Sequence, residues 1–159
     1  MRACIQRTLH ASVRLLDEEN REVSRIGRGL LVLLGVGMED KEEDARRLAH
    51  KIAKLRIFDD GEGKMNLDVS AVEGEILVVS QFTLYANSVR GNRPSFTEAA
   101  PPEKANVLYQ ILVRELTNLG ISVKEGVFRA NMGVELINDG PVTIWLDTLD
   151  LVKGKRTSA

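Results

Sequence analysis

Two stretches of the chain repeat their apolar residues at helical spacing. From about Asp40 to Phe58, Ala45, Leu48, Ala49, Ile52 and Leu55 fall at i, i+3, i+4, i+7 and i+10, one stripe of a helix. Acids crowd its first turn and bases its last, as the helix dipole prefers. From about Pro102 to Leu119 a second stripe runs through Ala105, Leu108, Tyr109, Leu112, Val113, Leu116 and Leu119. Pro102 suits a first helical position and Gly120 a C-terminal cap.

The remaining pattern predicts strands. Ala3–Arg7 and Ser12–Leu16 are short alternating runs, and Asp17–Asn20 is the turn of a hairpin returning through Glu22–Ile26. Gly29–Val36 and Glu75–Leu84 are near-continuous aliphatic runs, suited to strands covered on both faces. Ile121–Phe128, Met132–Ile137 and Pro141–Leu146 follow the second helix, and 59–64 is a polar loop. Pure strand–helix alternation predicts a doubly wound sheet. Hairpins at both ends argue instead for an α/β fold with a strongly bent, barrel-like mixed sheet, largely antiparallel, with two main helices packed on one side. No repeat or linker divides the chain, so one domain is expected over 1–150, with a basic tail over 151–159.

Composition narrows this further. The 159 residues are 43% hydrophobic and 28% charged, which excludes disordered and collagen-like chains. Aromatics make up only 4%, so the core is aliphatic. The net charge of -1 provides no global basic field for the backbone of a nucleic acid, although a local patch suffices to hold one RNA end. Lys153–Ala159 carries +3 with no acid, leaving -4 for residues 1–152. Cys4 is the single cysteine, in an apolar run, and is expected to be a buried thiol. The N-terminus shows no signal-peptide pattern, and the longest apolar run is too short to span a membrane. A soluble, cytoplasmic protein is expected.

The usual catalytic constellations are missing. His10 and His50 are the only histidines, and neither has a partner at metal spacing. No nucleophile elbow, phosphate loop or dinucleotide fingerprint occurs. No metal and no cofactor are expected.

Three polar islands break local rules. Ser80-Gln-Phe-Thr-Leu84 ends a buried strand, at a common location for sites in α/β sheets, or is simply a polar strand terminus. Arg90-Gly-Asn-Arg-Pro-Ser-Phe96 is a basic loop able to grip phosphate, or a solvated surface loop. Asn138-Asp-Gly-Pro-Val-Thr143 reads as a hairpin connection, or as a segment in which a cis Gly-Pro peptide aims its carbonyls as rigid acceptors.

Together, in this order and near these spacings, the three islands resemble the D-aminoacyl-tRNA deacylases, also called D-tyrosyl-tRNA(Tyr) deacylases. Ile5-Gln-Arg7, Gly29–Gly35, Leu55-Arg-Ile-Phe58, Gly63–Leu67 and Glu75–Val79 share the family pattern, so the likeness runs from about Met1 to Asp147. It implies a homodimer that hydrolyses the ester between a D-amino acid and the 3′-terminal adenosine of tRNA. D-aminoacyl-tRNA and glycyl-tRNA are the implied substrates, and L-aminoacyl-tRNA is rejected. It implies that Gly140 and Pro141, joined by a cis peptide, reach into the partner's pocket as a chiral filter. There they sterically exclude an L side chain, with Asn138 in the same motif and Arg7 helping to hold it. Ser80 and Gln81 would shape the pocket and bind adenosine. Thr83 is either the nucleophile or a bystander. In the second case the ribose 2′-OH assists, and backbone N–H groups around Phe82 and Thr83 stabilise the oxyanion. Phe128, Ala130 and Met132 match the family as pocket residues, whereas Arg129 stands where glycine is expected. Two other readings are an editing enzyme for a misattached L-amino acid and a non-catalytic RNA-end or protein-interaction module.

Overall fold

A computed structural model describes residues 1–89 and 91–153. Its spine is one long strand, β1 (Arg2–Leu15). Along one edge β1 pairs antiparallel with β8 (Met132–Asp147). Its other edge is shared: Arg2–Thr8 pairs with β3 (Gly29–Gly35), and Ala11–Leu15 with β2 (Arg21–Ile26). β3 then pairs in parallel with β6 (Glu75–Ser80), and β6 in parallel with β7 (Ser122–Glu125). The result is the bent, mixed, nearly closed sheet expected from the pattern.

The two short runs expected at the N-terminus are halves of the single strand β1. The ladder to β8 shifts register between Gln6 and Thr8 and again between Thr8 and His10, which resets the alternation and makes one strand read as two. β8 fuses its two expected runs in the same way.

Both aliphatic runs are buried on two faces. Leu30, Val32, Leu34, Ile76 and Val78 pack toward the helices. Leu31, Leu77 and Val79 turn the other way, into a second cluster with Ala11, Val13 and Ile26, against which Leu33 packs. Each such side chain contributes about 1.5–3 kcal/mol when fully buried.

α1 (Glu42–Ala53) and α2 (Pro102–Asn118) lie on one side of the sheet and pack against each other. Glu42, Glu43 and Asp44 open α1, with His50 and Lys51 in its last turn. α1 stops before the expected Phe58, which begins β4 (Phe58–Asp59), paired with β5 (Met65–Leu67) around the polar loop. α2 buries Ile111 in addition to its stripe, while Leu119 stays 37% exposed as the helix ends and Gly120 takes φ +82°. A short helix absent from the pattern, α3 (Thr148–Lys153), follows β8, and its Leu151 packs on the core. Residues 154–159, most of the basic tail, lie outside the described residues. Cys4 is half-buried, and burial raises its thiol pKa. Among the described residues no helix is long and apolar enough to cross a membrane.

Candidate active site

The expected strand Glu75–Leu84 divides at its first polar residues. β6 ends at Ser80, and Phe82–Tyr85 winds into a single 3-10 turn. The turn lies directly on the end of β3. The Gln81 N–H donates to Leu34 O at 2.8 Å. A Cβ on Gly35 would sit 3.1 Å from both Gln81 O and Leu84 Cβ, and one on Gly37 only 2.7 Å from Tyr85 Oη. Two glycines are therefore what let the turn approach the strand.

The turn is clamped from behind by the N-terminus. The Arg2 guanidinium donates to Leu84 O at 3.1 Å and to Asp147 at 3.1 Å, and lies 4.3 Å over the Tyr85 ring. The Tyr85 hydroxyl donates to Asp40 Oδ2 at 3.1 Å. Asp40 also accepts from the Gly37 N–H at 2.6 Å and from the buried Met1 ammonium at 2.5 Å, which in turn reaches Thr148 Oγ1. Burial first, and the Asp40 charge second, push the Tyr85 phenol well above its ordinary pKa. Tyr85 therefore acts here as a fixed donor.

The front of the turn is different. A 3-10 turn leaves its first N–H groups without intrahelical partners. The N–H groups of Phe82 and Thr83 donate to no acceptor among the described residues. Phe82 lines a cleft of about 630 Å³, and Thr83 follows it in the turn without lining the cleft itself. Ser80, Gln81 and Phe82 form one wall, and Phe128–Met132 another. Phe96, Ala99, Ala100, Pro102 and Ala105 close it. Phe82 and Phe96 meet edge to face with centroids 5.0 Å apart. Tyr109, bonded to Val78 O at 2.9 Å, backs Phe128.

The Thr83 hydroxyl is exposed and accepts from Gln81 Nε2 at 2.5 Å. An amide N–H can donate but cannot take a proton. Among the described residues no histidine or carboxylate lines the cleft. No general base is therefore in place to activate Thr83 as a nucleophile.

Arg7, Asn138, Gly140 and Pro141 do not line this cleft. They form a second cluster on β8. Between the pairs Thr8–Asn138 and Gln6–Thr143 the strand bulges outward, without the chain reversal of a hairpin connection. Asn138 caps the excursion: its Oδ1 accepts from the Val142 N–H at 3.0 Å and its Nδ2 donates to Thr143 Oγ1 at 3.0 Å. Arg7, 5% exposed, holds it from below. It donates to Asp139 O at 3.2 Å and Ile57 O at 2.7 Å, and pairs with Asp139 and Asp59 at 3.1 and 3.5 Å. The Gly140–Pro141 peptide is cis, and both residues are exposed. Gly140 has φ +123°, and a Cβ there would meet Val142 Cγ2 at 2.7 Å and Arg7 Nη2 at 3.1 Å. Of the basic loop, Phe96 alone lines the cleft; Arg93 is exposed outside it, and Arg90 lies outside the described residues.

The sequence pattern did not single out Ala99 and Ala100, and it gave Pro102 and Ala105 helical roles only, not a place in a cleft. They are small residues around the start of α2, and nothing in spacing or charge sets them apart from ordinary helix entry. The Asp40 node was also missed, because its cation is the chain's own amino terminus.

Known proteins are similar to this chain in sequence and fold. The family model for D-Tyr-tRNA(Tyr) deacylase matches residues 4–147. A D-aminoacyl-tRNA deacylase of Dictyoglomus turgidum is 56% identical over 98% of this chain and 98% of its own length. That of Thermotoga petrophila is 55% identical over 95% and 99%. Among solved structures, a c-Myc DNA unwinding element binding protein superposes with a TM-score of 0.85 at 40% identity, over 92% of this chain and 98% of its own. A probable eukaryotic D-amino acid tRNA deacylase, 18% identical over the same shares, reaches 0.78 and shares the fold. With a family model spanning nearly its whole length and relatives above half identity, the chain belongs to the D-Tyr-tRNA(Tyr) deacylase family.

Proposed function

We propose that this protein hydrolyses the ester joining a D-amino acid, or glycine, to the 3′-terminal adenosine of tRNA, and spares L-aminoacyl-tRNA. The observation that carries the reading is the pair of N–H groups on Phe82 and Thr83, unpartnered among the described residues, where Phe82 lines a cleft to which those residues bring no base. Ester hydrolysis passes through a tetrahedral oxyanion, and preorganised backbone donors are what such an intermediate needs. Water adds to the ester carbonyl with help from the neighbouring ribose 2′-OH. The oxyanion forms against Phe82 and Thr83 and then collapses, and the 3′-oxygen leaves and takes up a proton. Ser80 and Gln81 shape the adenosine end of the cleft, with Phe128, Ala130 and Met132 opposite. Charged tRNA as substrate places the work in the cytoplasm.

The chiral filter in this reading is the Gly140–Pro141 excursion, donated by a second copy of the chain. Three features support it. The excursion is exposed, it is held by a buried arginine, and it lies outside its own copy's cleft. Ile137 and Trp145, 48% and 51% exposed on the same strand, provide apolar surface for that contact. Its carbonyls receive the substrate α-amino group, and the segment excludes whatever projects from the α-carbon on the L side.

The test is deacylation of D-tyrosyl-, L-tyrosyl- and glycyl-tRNA side by side. Rapid loss of the D and glycyl esters with survival of the L ester is expected. Equal hydrolysis of D and L esters removes the filter, and inertness toward all three leaves a binding module. Gly140→Ala, which cannot hold φ +123° without moving Val142 or Arg7, is expected to lower D-ester hydrolysis at least about tenfold while the thermal midpoint moves only a few degrees. Wild-type rates and selectivity in that variant exclude the segment from the site.

A further inference from the structure

The cleft wall contains one residue that turn chemistry assigns to glycine. The segment 126–132 is pinned at both ends: the Gly126 N–H donates to Val78 O at 2.9 Å, and the Leu16 N–H to Asn131 O at 3.0 Å. Between them the Ala130 N–H closes a turn onto Val127 O at 3.1 Å, and Arg129 occupies its third position with φ +65°. Glycine or asparagine ordinarily fills such a position, because a Cβ there is penalised. Arg129 is exposed, and no ion pair or hydrogen bond engages its side chain among the described residues. Among the described residues it is also the single charged one lining the cleft. A long cation thus lines the cleft in a backbone conformation that costs free energy, with no hydrogen bond or ion pair among the described residues to offset it.

We infer that Arg129 is a substrate-binding residue that pairs with a phosphodiester of the RNA strand just before its terminal adenosine. This rests on the deacylase reading above and adds to it the point at which the polyanion is gripped. With a net charge of -1 the protein has no global field to attract RNA. A guanidinium beside the ester is the group that distinguishes a nucleic-acid ester from a bare one.

Two substrates separate the roles: D-tyrosyl-tRNA, and the D-tyrosyl ester of adenosine, which lacks phosphate. Arg129→Gly is expected to raise KM for D-tyrosyl-tRNA about tenfold with kcat within about twofold. Its log–log salt dependence becomes shallower by about 0.7, the value for one phosphate contact on a single strand. Hydrolysis of the adenosine ester is unchanged, and Arg129→Lys stays near wild type on both substrates. Since glycine accepts positive φ freely, the thermal midpoint does not fall. Equal loss on both esters, or no loss on either, overturns the inference while the deacylase reading stands. A change in oligomeric state with an unaltered salt slope assigns Arg129 to a second copy and also overturns it. A wild-type protein inert toward both esters overturns the deacylase reading, and this inference with it.

Discussion

Replacing the Phe82–Thr83 amide by an ester, with an α-hydroxy acid at position 83, is expected to slow single-turnover deacylation of D-tyrosyl-tRNA about 10²–10³-fold, the cost of losing one oxyanion donor. Thr83→Ala is expected to stay within about fivefold of wild type, since the hydroxyl it removes has no base beside it. The two changes act on the same residue and separate its backbone from its side chain. The Thr83 Oγ1 accepts from Gln81 Nε2, so its proton has no acceptor that becomes charged during attack. The N–H of the same residue, second in a 3-10 turn, has no partner among the described residues. The effect of the ester should fall on kcat, with KM little changed, because the donor meets its acceptor only once the carbonyl becomes tetrahedral. The opposite pattern, with the alanine variant dead and the ester variant active, makes Thr83 the nucleophile and removes the substrate-assisted mechanism.

Which parts of this architecture were legible in the sequence follows from how local their causes are. The burial of β3 and β6 on two faces is written in their unbroken aliphatic runs, and α1 and α2 in their stripes. Strand continuity was not legible. Asn138-Asp-Gly-Pro reads as a turn, because those residues usually reverse the chain. Here the Asn138 side chain bonds the Val142 N–H, and Arg7 takes the Asp139 carbonyl, so the segment bulges and the strand resumes against Gln6. Arg7 lies far away in sequence, so no local rule could supply it; it was singled out only through the family resemblance. The same holds for the split of Glu75–Leu84. Phe82-Thr-Leu-Tyr85 has ordinary strand composition, and it winds where Gly35, at the end of β3, and Gly37, just beyond it, leave room for it. Resemblance likewise gathered Phe128, Ala130 and Met132 with Ser80–Phe82, and the cleft unites them. The strained backbone at Arg129 could be read only as a departure from pattern until its φ was visible.

Asp40→Ala is expected to be the most destabilising single substitution outside the hydrocarbon core. Asp40 is 8% exposed and accepts from three donors: the Met1 ammonium, the Gly37 N–H and the Tyr85 hydroxyl. Removing it leaves a fully buried cation facing only Thr148 Oγ1, with two further donors unsatisfied. Breaking a buried pair in this way costs about 3–5 kcal/mol, more than the pair contributes over an apolar replacement, because the remaining charge stays desolvated. In a domain of this size that lowers the thermal midpoint by about 10 °C. Tyr85→Phe, which deletes one hydrogen bond and keeps the ring beneath Arg2, should cost only about 1 kcal/mol. Urea unfolding of the three proteins provides the ranking. If Asp40→Ala unfolds no more easily than Tyr85→Phe, the node is not what fixes the amino terminus against the turn. The node also holds the Phe82–Tyr85 turn from behind, through Tyr85. Its loss should therefore reach the cleft: the folded Asp40→Ala protein should deacylate more slowly per molecule, with the deficit in kcat. Stability and chemistry then fall together from one carboxylate that lines no part of the cleft.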